Sequence, residues 1–317
     1  MKTVETPVGA RPSGEEKPVE CRSLVVPYEP IVHREARPRG EEKPVEYRSP
    51  VIPYEPIVLL GTLLHKMRMT DVLAVCAESI RTRYPILIGV VNVAKLVKAR
   101  HDPQLRQSLG EATFTVADGA PVVWLSRLCG YALPERVAGI DIMDALLALA
   151  DRQGHGVYFL GARQEVVERV VACVRRKYPG VRIAGYRDGY FSGAEEGAVA
   201  EAIRASGADI LLVAVPTPQK ENFLRRWRKD MDVPVCHGVG GSFDVVAGLT
   251  KRAPRWMQKL GLEWLYRVIQ EPRRMWKRYL VTNTIFVGLA LKEMVQVRFR
   301  LRRQHLQPAR RDAAGGL

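Results

Sequence analysis

The chain has few cysteines, and their placement excludes the frameworks that cysteines usually build. Five are scattered over 317 residues, and none forms the C-x-x-C pair that is typical of zinc and redox sites. Cys76, Cys129 and Cys173 fall within apolar helical patterns. We therefore expect reduced core cysteines in a cytosolic protein, with neither a disulfide nor a zinc framework.

Long hydrophobic runs and clustered metal ligands are also lacking. The longest apolar run, residues 280–291, is broken by polar residues at 282–284 and is shorter than the roughly 20 residues that span a bilayer. The polar, Pro-rich N-terminus is not typical of a signal peptide. A D-x-D pair, Asp230 and Asp232, precedes a predicted strand, so it is expected away from the ligand edge. We predict no metal or other cofactor, and a protein that is soluble or lies on a membrane surface.

Positive charge dominates and is unevenly spread. The net charge is +15, and residues 251–317 hold sixteen Lys and Arg against four Asp and Glu. Aromatic residues such as Trp256 and Trp276 are interleaved with these cations. The pattern suits an interfacial helix on anionic lipid, single-stranded nucleic acid, or the charged face of a docked helix. Apolar positions in the same segment suit a homo-oligomer as well as membrane docking, so the oligomeric state stays open.

The N-terminal segment contains a direct duplication. Residues 14–32 read GEEKPVECRSLVVPYEPIV, and residues 40–58 read GEEKPVEYRSPVIPYEPIV. Two copies rich in Pro, Glu and Arg cannot bury a core, and a solenoid needs about three or more repeats. We predict that residues 1–56 form an extended or disordered arm.

From residue 57 onward, short apolar runs alternate with amphipathic helices. This order predicts βαβ units in an α/β fold with a doubly wound, mostly parallel, Rossmann-like sheet over residues 57–250. A basic helical appendage would follow over residues 251–317. The predicted strands are 86–91, 113–117, 157–160, 182–184, 210–215 and 233–237, and the predicted helices are 94–100, 121–128, 142–151, 164–178, 195–205 and 220–229.

Polar and glycine residues follow the predicted strands. Ligands of open α/β sheets bind beyond the carboxyl ends of the strands, and those ends meet at one edge. The residues that follow the strands are Asn92, Asp118, Gly161, 216–221 and 238–241. Their shared edge predicts a binding site.

Two side chains suggest the chemistry of this site. Asp118 stands directly ahead of a predicted helix, where it suits a general base or an N-cap. Arg136 lies in a short polar segment, where its guanidinium suits a phosphate or a salt bridge to Glu135 or Asp141. The residues alone leave both pairs of alternatives open.

The segment GVGGSFD offers a further candidate. Gly238, Gly240 and Gly241 would let backbone N–H groups approach a phosphate. A helix N-terminal turn that needs glycine is the alternative. The segment is not G-x-G-x-x-G, and no acidic residue follows at the ribose-binding spacing, so a dinucleotide site is not predicted.

Several segments, in order from about residue 57 to 280, carry a resemblance to a known family. They include VADGAPVVWLSRL, LPERVAGIDIMDALL, ADILLVAVPTPQKENF, GVGGSFDVVAG and EPRRMWKRYL. On these segments the chain resembles the WecG/TagA/CpsF family, glycosyltransferase family 26. The resemblance implies an inverting, metal-independent glycosyltransferase. It would move a sugar from a UDP-sugar to a polyprenyl-diphosphate-linked saccharide in cell-surface polysaccharide synthesis.

The resemblance also implies residue roles. Asp118 would be the general base that deprotonates the acceptor hydroxyl, Asn92 would contact substrate, and Arg136 would face a diphosphate. The basic C-terminal region would correspond to an appendage that meets the inner face of the cytoplasmic membrane and helps to close the site. Its expected phosphate contacts are Arg273, Arg274 and Arg278. A lipid surface therefore ranks ahead of nucleic acid, which is not an expected partner.

The chain departs from the family pattern around the expected substrate contacts. Val90 stands where the family usually has Thr, and the usual P-K-Q-E becomes P-Q-K-E, with Lys220 in place of an amide ahead of Glu221. Lys220 would compensate by binding a phosphate or an acidic donor sugar. These changes are the only support for the alternative hypothesis, a non-catalytic nucleotide-sugar or nucleic-acid binding protein. The chain has all three of the family's residues, Asp118, Asn92 and Arg136, and this argues against the alternative.

Overall fold

The computed structural model describes residues 56–305, apart from the side chains of residues 274 and 300–305. The predicted N-terminal arm lies outside the described residues, except for Pro56, and stays a prediction. The strands within the described range are β1 Pro56–Leu59, β2 Thr62–His65, β3 Ile86–Val91, β4 Phe114–Ala117, β5 Gly156–Gly161, β6 Arg182–Arg187, β7 Ile210–Ala214 and β8 Val235–Gly238.

Six of these strands form one sheet in the order β4-β3-β8-β7-β5-β6. Each neighbouring pair is parallel, which confirms the predicted fold class. Strands β3, β5 and β7 are buried along their whole length, as strands covered on both faces must be. Strands β3 and β8 are adjacent in the sheet although they lie far apart in the sequence. Because they are parallel, their carboxyl ends open at the same edge.

Helices cover both faces of the sheet. Those within the described range are α1 Met69–Thr82, α2 Val93–Ala99, α3 Pro103–Gly110, α4 Ala120–Leu128, α5 Gly139–Gln153, α6 Gln164–Lys177, α7 Glu196–Ala205, α8 Gln219–Trp227, α9 Ser242–Val246, α10 Arg255–Lys259, α11 Glu263–Gln270 and α12 Pro272–His305. One face packs on α1, α5 and α6 through buried residues such as Leu146 and Val170. The other face packs on α7 and α8 near β7, and on α2 and α4 near β3 and β4.

The cysteines behave as the sequence predicts in the part of the chain that the structure covers. Cys76, Cys129, Cys173 and Cys236 are buried and free. Burial raises the pKa of the Cys236 thiol to about 12, so this thiol stays protonated at neutral pH. Cys21 lies outside the described residues.

The last helix, α12, has two apolar faces. Phe286 and Val297 are buried against the cluster that holds α2 and α4, whereas Leu280 and Leu291 on the opposite side are 60% and 55% exposed. Judged by length and composition alone, one segment of the described range, Met275–Phe299, suffices to cross a membrane. The expectation that the apolar run is too short is therefore corrected, because the helix continues unbroken through the polar residues at 282–284.

Candidate active site

A cleft of about 1000 Å³ opens at the carboxyl ends of β3, β4, β7 and β8. It is the edge that the sequence predicts for a ligand. The expected site residues that line it are Asn92, Asp118, Lys220, Gly238, Gly240, Gly241 and Arg278. Glu221 and Arg136 do not line the cleft themselves, but they pair with residues that do.

Asp118 follows β4, the outermost strand at this end of the sheet, and lines the cleft. Its backbone N–H donates to the carbonyl of Val91 at 2.9 Å, which fixes the residue beside the end of β3. The N-cap of α4 is Gly119, and no side chain caps that helix, so the alternative of Asp118 as an N-cap is wrong. Among the side chains that the structure describes, none is a hydrogen-bond or ion-pair partner of its carboxylate.

The electrostatic surroundings of Asp118 favour a base. Burial raises the pKa of its carboxyl above the usual range, although the charge of Arg136 acts in the opposite direction. The carboxylate of Glu263 also raises this pKa, whereas Arg267 and Lys95 lower it. A carboxylate of raised pKa that is free of partners accepts a proton more readily than an ordinary surface aspartate.

Arg136 forms a bridge to the C-terminal helices. Its guanidinium contacts the Glu263 carboxylate on α11 at 2.5 Å and the Asp141 carboxylate at 3.6 Å. The salt bridge to Asp141 that the sequence left open is therefore present. The other proposed partner, Glu135, instead accepts a hydrogen bond from the backbone of Met69 at 2.6 Å. Arg136 is held beside Asp118 by acidic partners, at a place where a phosphate would also be attracted.

Arg252 completes this ion network from the segment between α9 and α10. It donates two hydrogen bonds to Asp141, at 2.6 and 2.9 Å, and lies 3.8 Å from Glu263. Its side chain and that of Asp141 are only 14% and 22% exposed. The bidentate geometry fixes the segment that carries Arg252 against the first turn of α5.

Asn92 is the N-cap of α2, because its side-chain oxygen accepts a hydrogen bond from the backbone N–H of Lys95 at 3.1 Å. Lys95 lies one helical turn further along and also lines the cleft. Its ammonium donates to the carbonyl of Val90 at 2.9 Å and lies 3.1 Å from Glu221. The cap therefore places a cation on the cleft side of α2.

Lys220 and Glu221 begin α8 and are almost fully buried, at 5% and 8% exposure. The Lys220 ammonium lies 3.2 Å from the Glu221 carboxylate. Burial lowers the pKa of Lys220 to about 8, and the neighbouring charge of Lys95 adds to that effect. The departure from the family pattern thus places a buried cation in the cleft beside the partly buried Lys95.

The glycine segment forms the turn between β8 and α9. Gly240 has a φ of +55°, which is a left-handed conformation that favours glycine. At the end of β8, His237 is fully buried and its Nε2 lies 2.9 Å from the carbonyl of Gly139. Burial lowers the pKa of His237 to about 4, so it is a neutral residue that ties β8 to the start of α5.

The three expected C-terminal arginines differ in placement. Arg278 lines the cleft. Arg273 is exposed and is not among the lining residues, and the side chain of Arg274 lies outside the described residues. Arg267 on α11, which is not among the residues predicted for the site, lines the cleft as well.

Four residues that line the cleft were not predicted as site residues from the sequence: Lys95, Arg252, Glu263 and Arg267. For Lys95 the spacing of three from Asn92 was a usable signal, because it places both residues on the first turn of one helix. Glu263 is an isolated acidic residue in a basic segment, which is a weaker signal. Within residues 56–305, no group of His, Cys, Asp and Glu has the arrangement to hold a metal ion.

Comparison with known proteins assigns the chain to a family. The sequence model of the glycosyl transferase WecG/TagA/CpsF family matches residues 57–300. The chain belongs to this family. It is therefore a glycosyltransferase, and the resemblance stated from its motifs is confirmed.

Two relatives carry the same name, N-acetylglucosaminyldiphosphoundecaprenol N-acetyl-beta-D-mannosaminyltransferase. The protein of Bacillus subtilis (strain 168) is 38% identical over 194 residues, which are 61% of this chain and 75% of its own length. The protein of Bacillus spizizenii is 40% identical over 183 residues, or 58% of this chain and 70% of its own. The name describes transfer of an N-acetylmannosamine unit to a diphosphoundecaprenol-linked N-acetylglucosamine.

Proposed function

We propose that this glycosyltransferase moves a sugar from a UDP-sugar to a polyprenyl-diphosphate-linked saccharide, with inversion and without a metal. The observation that carries the proposal is Asp118, a partner-free carboxylate of raised pKa that lines the cleft. The product would enter the synthesis of a cell-surface polysaccharide.

In the proposed reaction, Asp118 accepts the proton of an acceptor hydroxyl as that oxygen attacks the anomeric carbon. The bond from the anomeric carbon to the β-phosphate oxygen breaks, and UDP leaves with the electron pair. Attack from the face opposite the leaving group inverts the configuration at that carbon. The base and the leaving diphosphate must therefore lie on opposite sides of the sugar.

Cations of the cleft would neutralise the leaving diphosphate. Arg136, Arg267 and Arg278 lie on or beside the wall that the C-terminal helices form, and Lys95 and Lys220 reach the cleft from α2 and α8. Fixed cations in a partly dry cleft stabilise developing negative charge more strongly than they would in water. This arrangement supports a reaction that needs no divalent ion.

The names of the two relatives support the acceptor class. Both describe a sugar carried on diphosphoundecaprenol, and the region that the family model matches contains the residues lining the cleft. An acceptor of that class is anchored in a bilayer. The enzyme that uses it must bring its cleft to the membrane surface.

Helix α12 supports peripheral binding at the inner face of the cytoplasmic membrane. Phe286 in the middle and Val297 near the end of Met275–Phe299 pack against the domain, while the opposite face exposes Leu280, Leu291 and Val295. A helix attached to a folded domain along its length lies on a bilayer and does not cross it. Its exposed apolar face would enter the headgroup boundary beside anionic lipid.

The experiment that tests the proposal measures UDP release by the purified protein in detergent. A panel of UDP-sugars is offered with a polyprenyl-diphosphate-linked N-acetylglucosamine, with and without EDTA. Release that requires the acceptor and survives EDTA is the expected result, and the anomeric configuration of the product reports inversion. Release abolished by EDTA would reject the metal-free reaction. If a folded protein released no UDP from any member of the panel, the donor class or the acceptor class would be rejected.

A further inference from the structure

Three charged side chains from two helices meet on one side of the cleft. The Glu221 carboxylate lies 3.1 Å from the Lys95 ammonium and 3.2 Å from the Lys220 ammonium. The same oxygen, Oε1, also accepts a hydrogen bond from the Thr217 hydroxyl at 3.2 Å. The other carboxylate oxygen is buried and has no partner within the described range. One carboxylate is thus shared by two lysines.

The cluster carries an excess of positive charge. Although burial alone would raise the pKa of Glu221, the two ammonium groups lower it to about 2, so the carboxylate is charged. Burial lowers the pKa of Lys220 only to about 8, so this lysine is still mostly protonated at neutral pH. Two positive charges then face one negative charge in a nearly dry place, where an unbalanced charge is costly. An added anion would balance it.

The position of Lys220 is fixed by its surroundings. Its methylene chain passes over Gly238 so closely that a Cβ at that glycine would lie 2.6 Å from both Cδ and Cε. A lysine ammonium has three donors, and in the described part of the chain Glu221 is its only partner. Both Lys95 and Lys220 line the cleft. The cluster therefore presents unused donors, on a side chain that packing holds in place.

We propose that Lys220, supported by Lys95, forms an oxyanion subsite for the sugar-nucleotide donor. This subsite proposal rests on the proposed function, which supplies the donor class. The bound group is an oxygen of the donor diphosphate or of a carboxylate on the transferred sugar, since both offer the same acceptor to an ammonium group. Glu221 is a positioning residue that holds the two ammonium groups together.

The donor is favoured over the acceptor because of where the cluster lies. It borders the glycine turn through Gly238, and the backbone N–H groups of such a turn suit a phosphate. Lys95 influences both Asp118 and Lys220, but Lys220 is not among the charges that act on Asp118. Lys95 thus links the subsite electrostatically to the base, while Lys220 itself adjoins the glycine turn.

A purely structural role for Lys220 makes a different prediction. If the lysine served only to tie α8 to α2, its removal would cost stability and leave ligand affinity unchanged. In the proposed subsite, Lys220→Met keeps the packing over Gly238 and leaves Lys95 and Glu221 as a balanced pair. Its thermal unfolding temperature should therefore stay at or above that of the wild type.

The test is calorimetric titration of the full chain with UDP, UDP-N-acetylglucosamine and UDP-glucuronate. The proteins are the wild type, Lys220→Met and the control Lys229→Met, which removes an exposed lysine just beyond the same helix. We expect Lys220→Met to weaken binding roughly 10- to 100-fold, as for loss of a hydrogen bond to a charged group. An equal loss for all three ligands identifies the diphosphate, and a loss confined to UDP-glucuronate identifies a sugar carboxylate.

Affinities within twofold of the wild type for all three ligands, in a folded Lys220→Met protein, would overturn the subsite and leave the proposed function standing. An equal loss in Lys229→Met would overturn it too, because the effect would then reflect overall charge. If the wild type itself bound none of the three, both the donor class and the subsite would be rejected.

Discussion

The variant Asp118→Asn distinguishes a catalytic role of this carboxylate from a structural role. The change keeps the shape of the side chain and removes its negative charge and its ability to accept a proton. Because the described residues provide no partner for this carboxylate, no hydrogen bond or ion pair is lost. Burial raises the pKa of Asp118, which means that folding disfavours its charged form. The variant should therefore be at least as stable as the wild type at pH 7.

The expected loss of activity follows from the usual contribution of a general base. The other carboxylates lining the cleft are Asp244 and Glu263, and Glu263 is engaged by Arg136 and Arg252. General base catalysis contributes roughly 10²- to 10⁴-fold. We therefore expect kcat to fall by about 10²- to 10⁴-fold, which corresponds to roughly 3 to 5.5 kcal/mol of barrier.

The assay is acceptor-dependent UDP release, with thermal unfolding and UDP binding measured on the same preparations. A retained fold, retained UDP binding and the expected loss of kcat would support the assignment of the base. If kcat fell less than tenfold, proton transfer would not depend on Asp118. If the variant lost stability as well, the carboxylate would have a structural role that its contacts do not reveal.

Further predictions concern the cations, the membrane face and acid stability. Arg136→Met should lower kcat/KM about 10²-fold and move the acidic limb of its pH profile upward, because Arg136 lowers the pKa of Asp118. Leu280→Asp combined with Leu291→Asp should release the protein from anionic vesicles in a flotation assay, while UDP-sugar binding is retained. Because the pKa of His237 falls from 6.5 to about 4 on folding, the unfolded chain binds the extra proton, and stability should fall by about 2 kcal/mol from pH 7 to pH 5 in urea unfolding.

Each of these predictions has a contrary result. An unmoved acidic limb in Arg136→Met would show that the limb does not report Asp118. Full vesicle binding by the double aspartate variant would place the membrane contact elsewhere. An undiminished pH dependence in His237→Gln, relative to the wild type, would assign the acid sensitivity to another group.

The central sheet was predictable because its strands are continuous apolar segments. Strand β3 was predicted with the bounds that the structure shows, Ile86–Val91, since all six residues are buried. Strand β8 was predicted to begin at residue 233 but begins at Val235. Pro234 lacks an N–H for the ladder, although its carbonyl accepts a hydrogen bond from Ile86 at 2.7 Å.

The first hairpin was not predicted because its turn lacks the usual residues. Strands β1 and β2 are joined by Leu60 and Gly61, whose φ angles are 51° and 76°. Asn or Asp normally stands at the first of these positions, and leucine there gives no turn signal. The apolar run around it then resembles a single strand or a buried segment.

The site was predictable where it follows the strands and not where it depends on tertiary packing. Asp118 and Asn92 follow β4 and β3, so the rule for parallel sheets places them together. Glu263 and Arg267 line the cleft because α11 packs over that edge. The hydrophobic pattern of the sequence does not predict where α11 packs. The same packing explains why Arg267 lines the cleft and Arg273 does not.

The fold-back of the C-terminal helices has a practical consequence for experiments on this enzyme. The change in composition near residue 251 invites a division into a transferase and a removable membrane tail. Yet Arg252 fixes the first turn of α5 and Glu263 holds Arg136, while Arg278 forms part of the cleft wall. A chain shortened at that boundary would lose one side of its cleft together with the proposed membrane face. We therefore expect that the proposed lipid binding can be separated from catalysis by point substitutions on the outer face of α12, and not by truncation.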